Sequence, residues 1–173
     1  VELVQAVIDR RLPVFLVRHE LHWIGTEINL NLGAGRKTIG ESVRLDLPDW
    51  DARTMDIPYS DSSVHNIYAF HFLEHLEPEA VIRVLRECLR VLVPGGVLNI
   101  GVPYFRSQGA FHDLGHRSFF TEDTWKNTFF NQYNDEEHHQ FWKWGIGLNL
   151  IVGQSERNLM LVTQLRKAAA DYA

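Results

Sequence analysis

The 173-residue chain is poor in sulfur, with one cysteine, Cys88, and two methionines. A single cysteine excludes an internal disulfide and makes the cytoplasm the expected compartment. Long apolar runs are missing too: none reaches the roughly 20 residues that cross a bilayer. The opening segment VELVQAVIDRRLPVFLVRHELHW is broken by Arg10, Arg11, Pro13, Arg18, His19 and Glu20, so it reads as neither signal peptide nor membrane anchor. Basic charge is not in excess, since 17 Lys and Arg stand against 22 Asp and Glu, for a net charge of −5. That removes a global electrostatic grip on nucleic acid, although a local basic patch stays allowed. No repeat, low-complexity tract or Pro/Ser-rich linker divides the chain. Its length suits one domain with a sizeable core, and 45% hydrophobic and 23% charged residues are ordinary for a globular protein.

What is present is a series of α/β signals. Residues 2–10 suit a short amphipathic helix with Leu3, Val4, Val7 and Ile8 on one face, and 14–24 fit helix or strand equally. Ile28–Gly35, INLNLGAG, is an apolar strand running into a glycine-rich turn. Glycine lacks the Cβ that blocks a close approach, so such a turn suits a nucleotide or nucleoside in a strand-end crevice. Strands are expected at Glu27–Leu32, Val43–Leu47 and Val64–Phe70, with a short extra one at Asp49–Ala52. Pro78 occupies a first helical position, and Val81, Val84, Leu85, Cys88, Leu89 and Leu92 follow at helical spacing. Pro94-Gly95-Gly96 ends that helix ahead of a strand over 97–103. Thr121–Thr124 opens a further helix, and strands near 141–152 and 158–165 make an antiparallel hairpin. This order predicts an α/β sandwich: a mostly parallel sheet with helices on its faces and the hairpin at one edge.

In such a sheet ligands sit beyond the carboxyl ends of the strands. Asn31 and the turn Gly33-Ala34-Gly35 fall there, as do Asp46, Asp51-Ala52 and His71-Phe72. Asp46 could accept both hydroxyls of a ribose, and its charge disfavours a 2′-phosphate. Asp51 offers a carboxylate to an exocyclic amine and Ala52 a backbone N–H to a ring nitrogen. The set describes a pocket for an adenosine-like group. Blander readings stand beside it: the glycines build a tight turn, Asp46 is a solvated strand-end acid, and Asp51 or its neighbour Asp56 caps its own backbone. Between the two acids, Asp51 is favoured.

The ordered run LNLGAG, VRLDL, DWDARTMDIPYSDSSVHNIYAFHFLEHL and LRECLRVLVPGGVLNIGVPYF resembles the class I S-adenosylmethionine-dependent methyltransferases, most nearly small type-11-like members of bacteria and phages. The resemblance covers about residues 27–104. It implies a Rossmann-like three-layer sandwich with seven mostly parallel strands, the last reversed, and S-adenosylmethionine over the strand ends. It also implies one methyltransferase domain over 1–173: an extension at 1–25, a cofactor-binding core at 27–104, an acceptor-side loop and helix at 105–140, and the hairpin at 141–166. Gly33, Ala34 and Gly35 would pass under the methionine part, Asp46 would hold the ribose, Asp51 and Ala52 would face the adenine, and His71 would lie near the sulfonium. The chain departs from the pattern in three places. Arg36-Lys37 follows the turn, Asn31 stands where many members place an acid for the ammonium, and Gly35 to Val43 leaves no room for a full first helix. A dinucleotide oxidoreductase is disfavoured because GxGxxG followed by a helix is missing.

Methyl transfer is an in-line displacement that the protein promotes mainly by alignment. A hydroxyl or protonated-amine acceptor also needs a base. His112 and His116, in GAFHDLGHRSFF after the fifth expected strand, are the candidates; the alternative is that they pack the loop. Asp113 could assist a metal, but no further ligand stands at metal-site spacing, so no metal site is expected. Glu74 and His75 are expected to fix the turn into the long helix, and His138-His139 to lie in a solvated loop. The Asn/Asp-Pro-Pro-aromatic run of base and glutamine amino-methyltransferases is replaced by AFHFLEHL. The expected acceptor is therefore a small molecule or glycan, its pocket completed by homodimerisation or by the first 25 residues. The alternative is a non-catalytic binding or assembly module of the same fold, motivated by the altered turn and Asn31.

Overall fold

The computed structural model describes residues 27–130, 145–154 and 159–167. The expectations for residues 2–10, 14–24 and His138-His139, and for pocket completion by the first 25 residues, lie outside them. The strands are β1 (Asn29–Leu32), β2 (Val43–Leu45), β3 (Val64–Phe70), β4 (Leu92–Pro103), β5 (Gly145–Gln154) and β6 (Leu159–Lys167). The helices are α1 (Pro78–Val91), α2 (Gln108–Phe111) and α3 (Glu122–Phe130), with a 3-10 turn at Leu73–His75. One six-stranded sheet has the order β2-β1-β3-β4-β6-β5. The pairs β1–β2, β1–β3 and β3–β4 are parallel, and β6 runs antiparallel to both β4 and β5. The reversed last strand is thus as expected. A seventh strand is not among the described residues.

Strand alternation separates the two faces of the sheet. Leu30, Leu32, Ile67, Leu98, Ile100 and Leu165 share one core cluster with Val81, Val84, Leu85, Cys88 and Val91 of α1 and with Trp125 and Phe129 of α3. The registers Asn31↔Arg44, Asn31↔Tyr68, Tyr68↔Asn99 and Asn99↔Gln164 put a polar row across the other face. Both α1 and α3 contribute to the apolar side.

Pro78 starts α1 at a position where the missing N–H costs nothing. At its other end Lys167 of β6 donates to the carbonyls of Leu92 and, at 2.9 Å, Leu89, so the last strand caps the helix. Pro94-Gly95-Gly96 does more than stop the helix. β4 already pairs at Leu92 with Val64, and the next pairing is Asn66↔Val97, so residues 93–96 bulge from the strand. Asp49–Ala52 forms a turn instead of the expected short strand. Trp50 is buried there, its N–H donating to the Asp46 carbonyl and its indole to the Asp56 carbonyl, both at 3.0 Å. In α3, Thr121 caps the helix reciprocally with Thr124, each hydroxyl accepting the other's backbone N–H.

Candidate active site at the strand ends

Because β1 and β3 are neighbours, the glycine turn and His71-Phe72 meet at one end of the sheet. Gly33 and Gly35 both have positive φ, +60° and +55°. They differ in surroundings: a Cβ on Gly33 would lie 2.1 Å from Phe72 Cδ2, whereas one on Gly35 would meet nothing within 4 Å. The close approach anticipated at this turn is therefore made by a side chain at Gly33, and open space remains beside Gly35. Ala34 is buried between them.

Asp46 joins this turn to β2. Its Oδ2 accepts the Gly35 N–H and its Oδ1 the Leu47 N–H at 2.8 Å. A carboxylate has about four acceptor positions, so two remain for a ligand. Asn31 is buried and donates from Nδ2 to the Lys37 carbonyl at 3.3 Å, bracing the loop that carries Arg36 and Lys37. Those two cations are exposed.

Asp51 sits in the turn-capping geometry that the sequence also allowed. It accepts the Arg53 backbone N–H at 3.0 Å and a bidentate pair from the Arg53 guanidinium at 2.8 and 2.7 Å. The guanidinium beside it lowers its carboxyl to about 2. Its competitor Asp56 pairs with Arg83 at 2.7 Å. Arg83 also donates to the carbonyls of Ala52 and Met55, and Arg90 to those of Ile57 and Tyr59. Two arginines on α1 thus pin the whole segment that carries Asp51 and Ala52.

His71 directly follows β3, with a left-handed φ of 53° and a half-exposed ring. Its Nδ1 is 3.3 Å from Oε1 of Glu74, a buried carboxylate whose other oxygen, Oε2, has no protein partner. After β4 the chain forms an open cleft of about 510 Å³, lined by Phe105, Arg106, Ser107, Gln108, Phe111 and His112. The two histidines that the sequence treats alike separate here. His112 lines the cleft and donates from Nδ1 to the Gly109 carbonyl at 2.9 Å. His116 donates from Nδ1 to the Ala110 carbonyl at 2.9 Å and turns its ring edge-on to His75, with centroids 4.8 Å apart. Both tautomers are fixed, because a carbonyl only accepts, and each ring keeps a free Nε2. Asp113 is held below the usual carboxylate range, first by the Gly115 N–H and then by the neighbouring His116, His75 and His112. The grouping of Glu74 and His75 with His116 was not anticipated. The only sequence signal was an acid-histidine pair at the end of a strand.

A family model described as a methyltransferase domain matches residues 18–100, just under half of the chain. No curated protein sequence matches. Solved structures do. A SAM-dependent methyltransferase from Archaeoglobus fulgidus is 17% identical, with a TM-score of 0.58 over 96% of this chain and 94% of that one. The 1,6-didemethyltoxoflavin-N1-methyltransferase of Burkholderia thailandensis, solved with 1,6-didemethyltoxoflavin and S-adenosylhomocysteine, is 16% identical, with a TM-score of 0.55 over 96% and 77%. The N-methyltransferase NodS of Bradyrhizobium japonicum WM9, solved with S-adenosylhomocysteine, is 12% identical, with a TM-score of 0.53 over 97% and 85%. At these identities the likeness is one of fold. The family match runs from residue 18 through Ile100 of β4, across the glycine turn, and the chain shares its fold with S-adenosylmethionine-dependent methyltransferases.

Proposed function

We propose that the chain transfers the methyl group of S-adenosylmethionine to a small-molecule or glycan acceptor seated in the cleft after β4. The observation that carries this reading is the juxtaposition of that cleft with the glycine turn and His71 at the same end of the sheet. The residues present fit the cofactor. The space beside Gly35 accepts the methionine part over the Gly33-Ala34-Gly35 turn, with Asn31 below it. Asp46 keeps two acceptor positions for the ribose hydroxyls, and Asp51 with Ala52 borders the adenine. His71 stands nearest the sulfonium. The bound cofactor supplies an activated methyl group; the chain supplies alignment. His112 is the base for a hydroxyl or ammonium acceptor, because its free Nε2 belongs to a ring that lines the cleft.

Calorimetry with S-adenosylmethionine tests the cofactor half of the reading. No binding at millimolar cofactor would overturn it. His112→Gln tests the acceptor half: kcat should fall about 10²- to 10⁴-fold, the usual range for a positioned base, with cofactor affinity unchanged. The occupied oxygens of Asp46 and Asp51 favour one second reading, a binding or assembly module of the same fold. That reading predicts no cofactor binding.

A further inference from the structure

Glu74, His75 and His116 come from two segments 41 residues apart, yet each offers a ligand atom, and these atoms all lie within 4.8 Å of one another. We propose that they form a binding site for a first-row divalent transition-metal ion, zinc being the first candidate, behind the His112 wall of the cleft.

Four features carry the assignment. First, a carboxylate buried to 1% exposure has only a 3.3 Å contact with His71 on one oxygen and no protein partner on the other. A carboxylate buried without a partner is unfavourable, and a bound cation removes that penalty. Second, His116 is oriented as metal-ligating histidines are: Nδ1–H is spent on a backbone carbonyl and Nε2 is left with its lone pair. Third, His71 on Oε1 of Glu74 is the outer partner that would steer Oε2 toward an ion. Fourth, the donor set of two imidazoles and one carboxylate suits zinc and its first-row neighbours, and suits magnesium or calcium poorly. Ligands about 2.0–2.2 Å from a tetrahedral ion stand roughly 3.3 Å apart, so side-chain rotation has about 1.5 Å to close. The ion would tie the turn after β3 to the loop after β4. The rings of His116 and His112 are 5.8 Å apart, which sets the site one imidazole away from the cleft.

The test needs neither cofactor nor acceptor. Chelator-treated, full-length protein is titrated with Zn2+ by calorimetry and with Co2+ by visible absorption. The expected results are one ion per chain, visible d–d absorption characteristic of roughly tetrahedral cobalt, and a rise in Tm that chelator reverses. His75→Gln, His116→Gln and Glu74→Gln should each weaken binding at least tenfold, while His138→Gln with His139→Gln should not. Far-UV circular dichroism and denaturant melts of the metal-free variants establish that they are folded. Absence of stoichiometric binding, or binding that survives His75→Gln with His116→Gln, would overturn the proposal. Cofactor binding is measured separately, so failure here leaves the methyltransferase reading untouched.

Discussion

Phe72 fills the volume that a side chain on Gly33 would need: an added Cβ would lie 2.1 Å from its Cδ2 and 2.8 Å from its Cβ. The turn therefore requires glycine at position 33 twice over, for its φ and for its neighbour. Gly33→Ala should cost about 2–4 kcal/mol, combining a left-handed backbone penalty with overpacking. Gly35→Ala, which meets nothing, should cost only about 1–2 kcal/mol. Denaturant melts of both variants check the difference. A Gly33→Ala/Phe72→Ala double variant should lose less than the sum of the two single changes.

Asp46 is both a structural tie and the proposed ribose acceptor. Asp46→Ala should weaken S-adenosylmethionine binding at least tenfold, or about 1.4 kcal/mol, and should lower Tm by freeing the Gly35 and Leu47 amides. Calorimetry with differential scanning reads both effects. Unchanged affinity with a lowered Tm would leave Asp46 the structural role alone.

Arg90 binds the segment after β2 to α1 through the Ile57 and Tyr59 carbonyls, Asp61 and Glu87. Arg90→Ala should cost about 2–4 kcal/mol, since hydrogen bonds to charged groups are lost and Glu87 keeps only the Ile57 N–H. Arg90→Lys should recover little of it, because an ammonium cannot reproduce the planar fork.

The same pair sets an acid limit. The Arg90 guanidinium, aided by the Ile57 N–H, holds the Glu87 carboxyl below its ordinary value of 4.5. A group whose folded value is lowered stabilises the fold above its unfolded value, and that stability is lost as pH falls through the folded one. Stability should thus decline as pH drops below the ordinary glutamate range. Glu87→Gln should be less stable at neutral pH and should show a shallower decline. Urea melts between pH 7 and pH 3 measure the slope.

Cys88 lies on the buried face of α1 at 1% exposure, and burial pushes its thiol up from the ordinary 9.0. A thiol reagent at pH 8 should leave the native protein unmodified and label one site per chain in denaturant. Labelling of the native state would show that α1 opens.

The legible parts of this fold were the local ones. β3 has the bounds its β-branched and aromatic residues announce, and α1 begins at Pro78 as its dipole and spacing require. The glycine turn, Asp46 and His71 reached one end of the sheet because strand ends converge wherever parallel strands pair. What stayed hidden depended on distant partners. Nothing in the sequence says that Phe72 packs on Gly33, that residues 93–96 leave the ladder, or that Lys167 caps a helix 75 residues earlier. Position on the chain points Asp51 toward a ligand, yet Arg53, two residues on, supplies its partner. On the sequence alone His116 reads as a base or as packing, because nothing there brings Glu74 and His75 beside it.

The position of β6 between β4 and β5 orders events during synthesis. A nascent chain that has emerged through residue 154 carries β5 but has no place for it, because the strand that joins it to β4 is still in the ribosome. Until residue 167 is free, the β4 edge has no partner among the described strands and is open to other chains. The helix cap from Lys167 is also missing until then. Completion of the sheet therefore waits until residue 167 has emerged, and chaperone dependence or aggregation should track the interval before it.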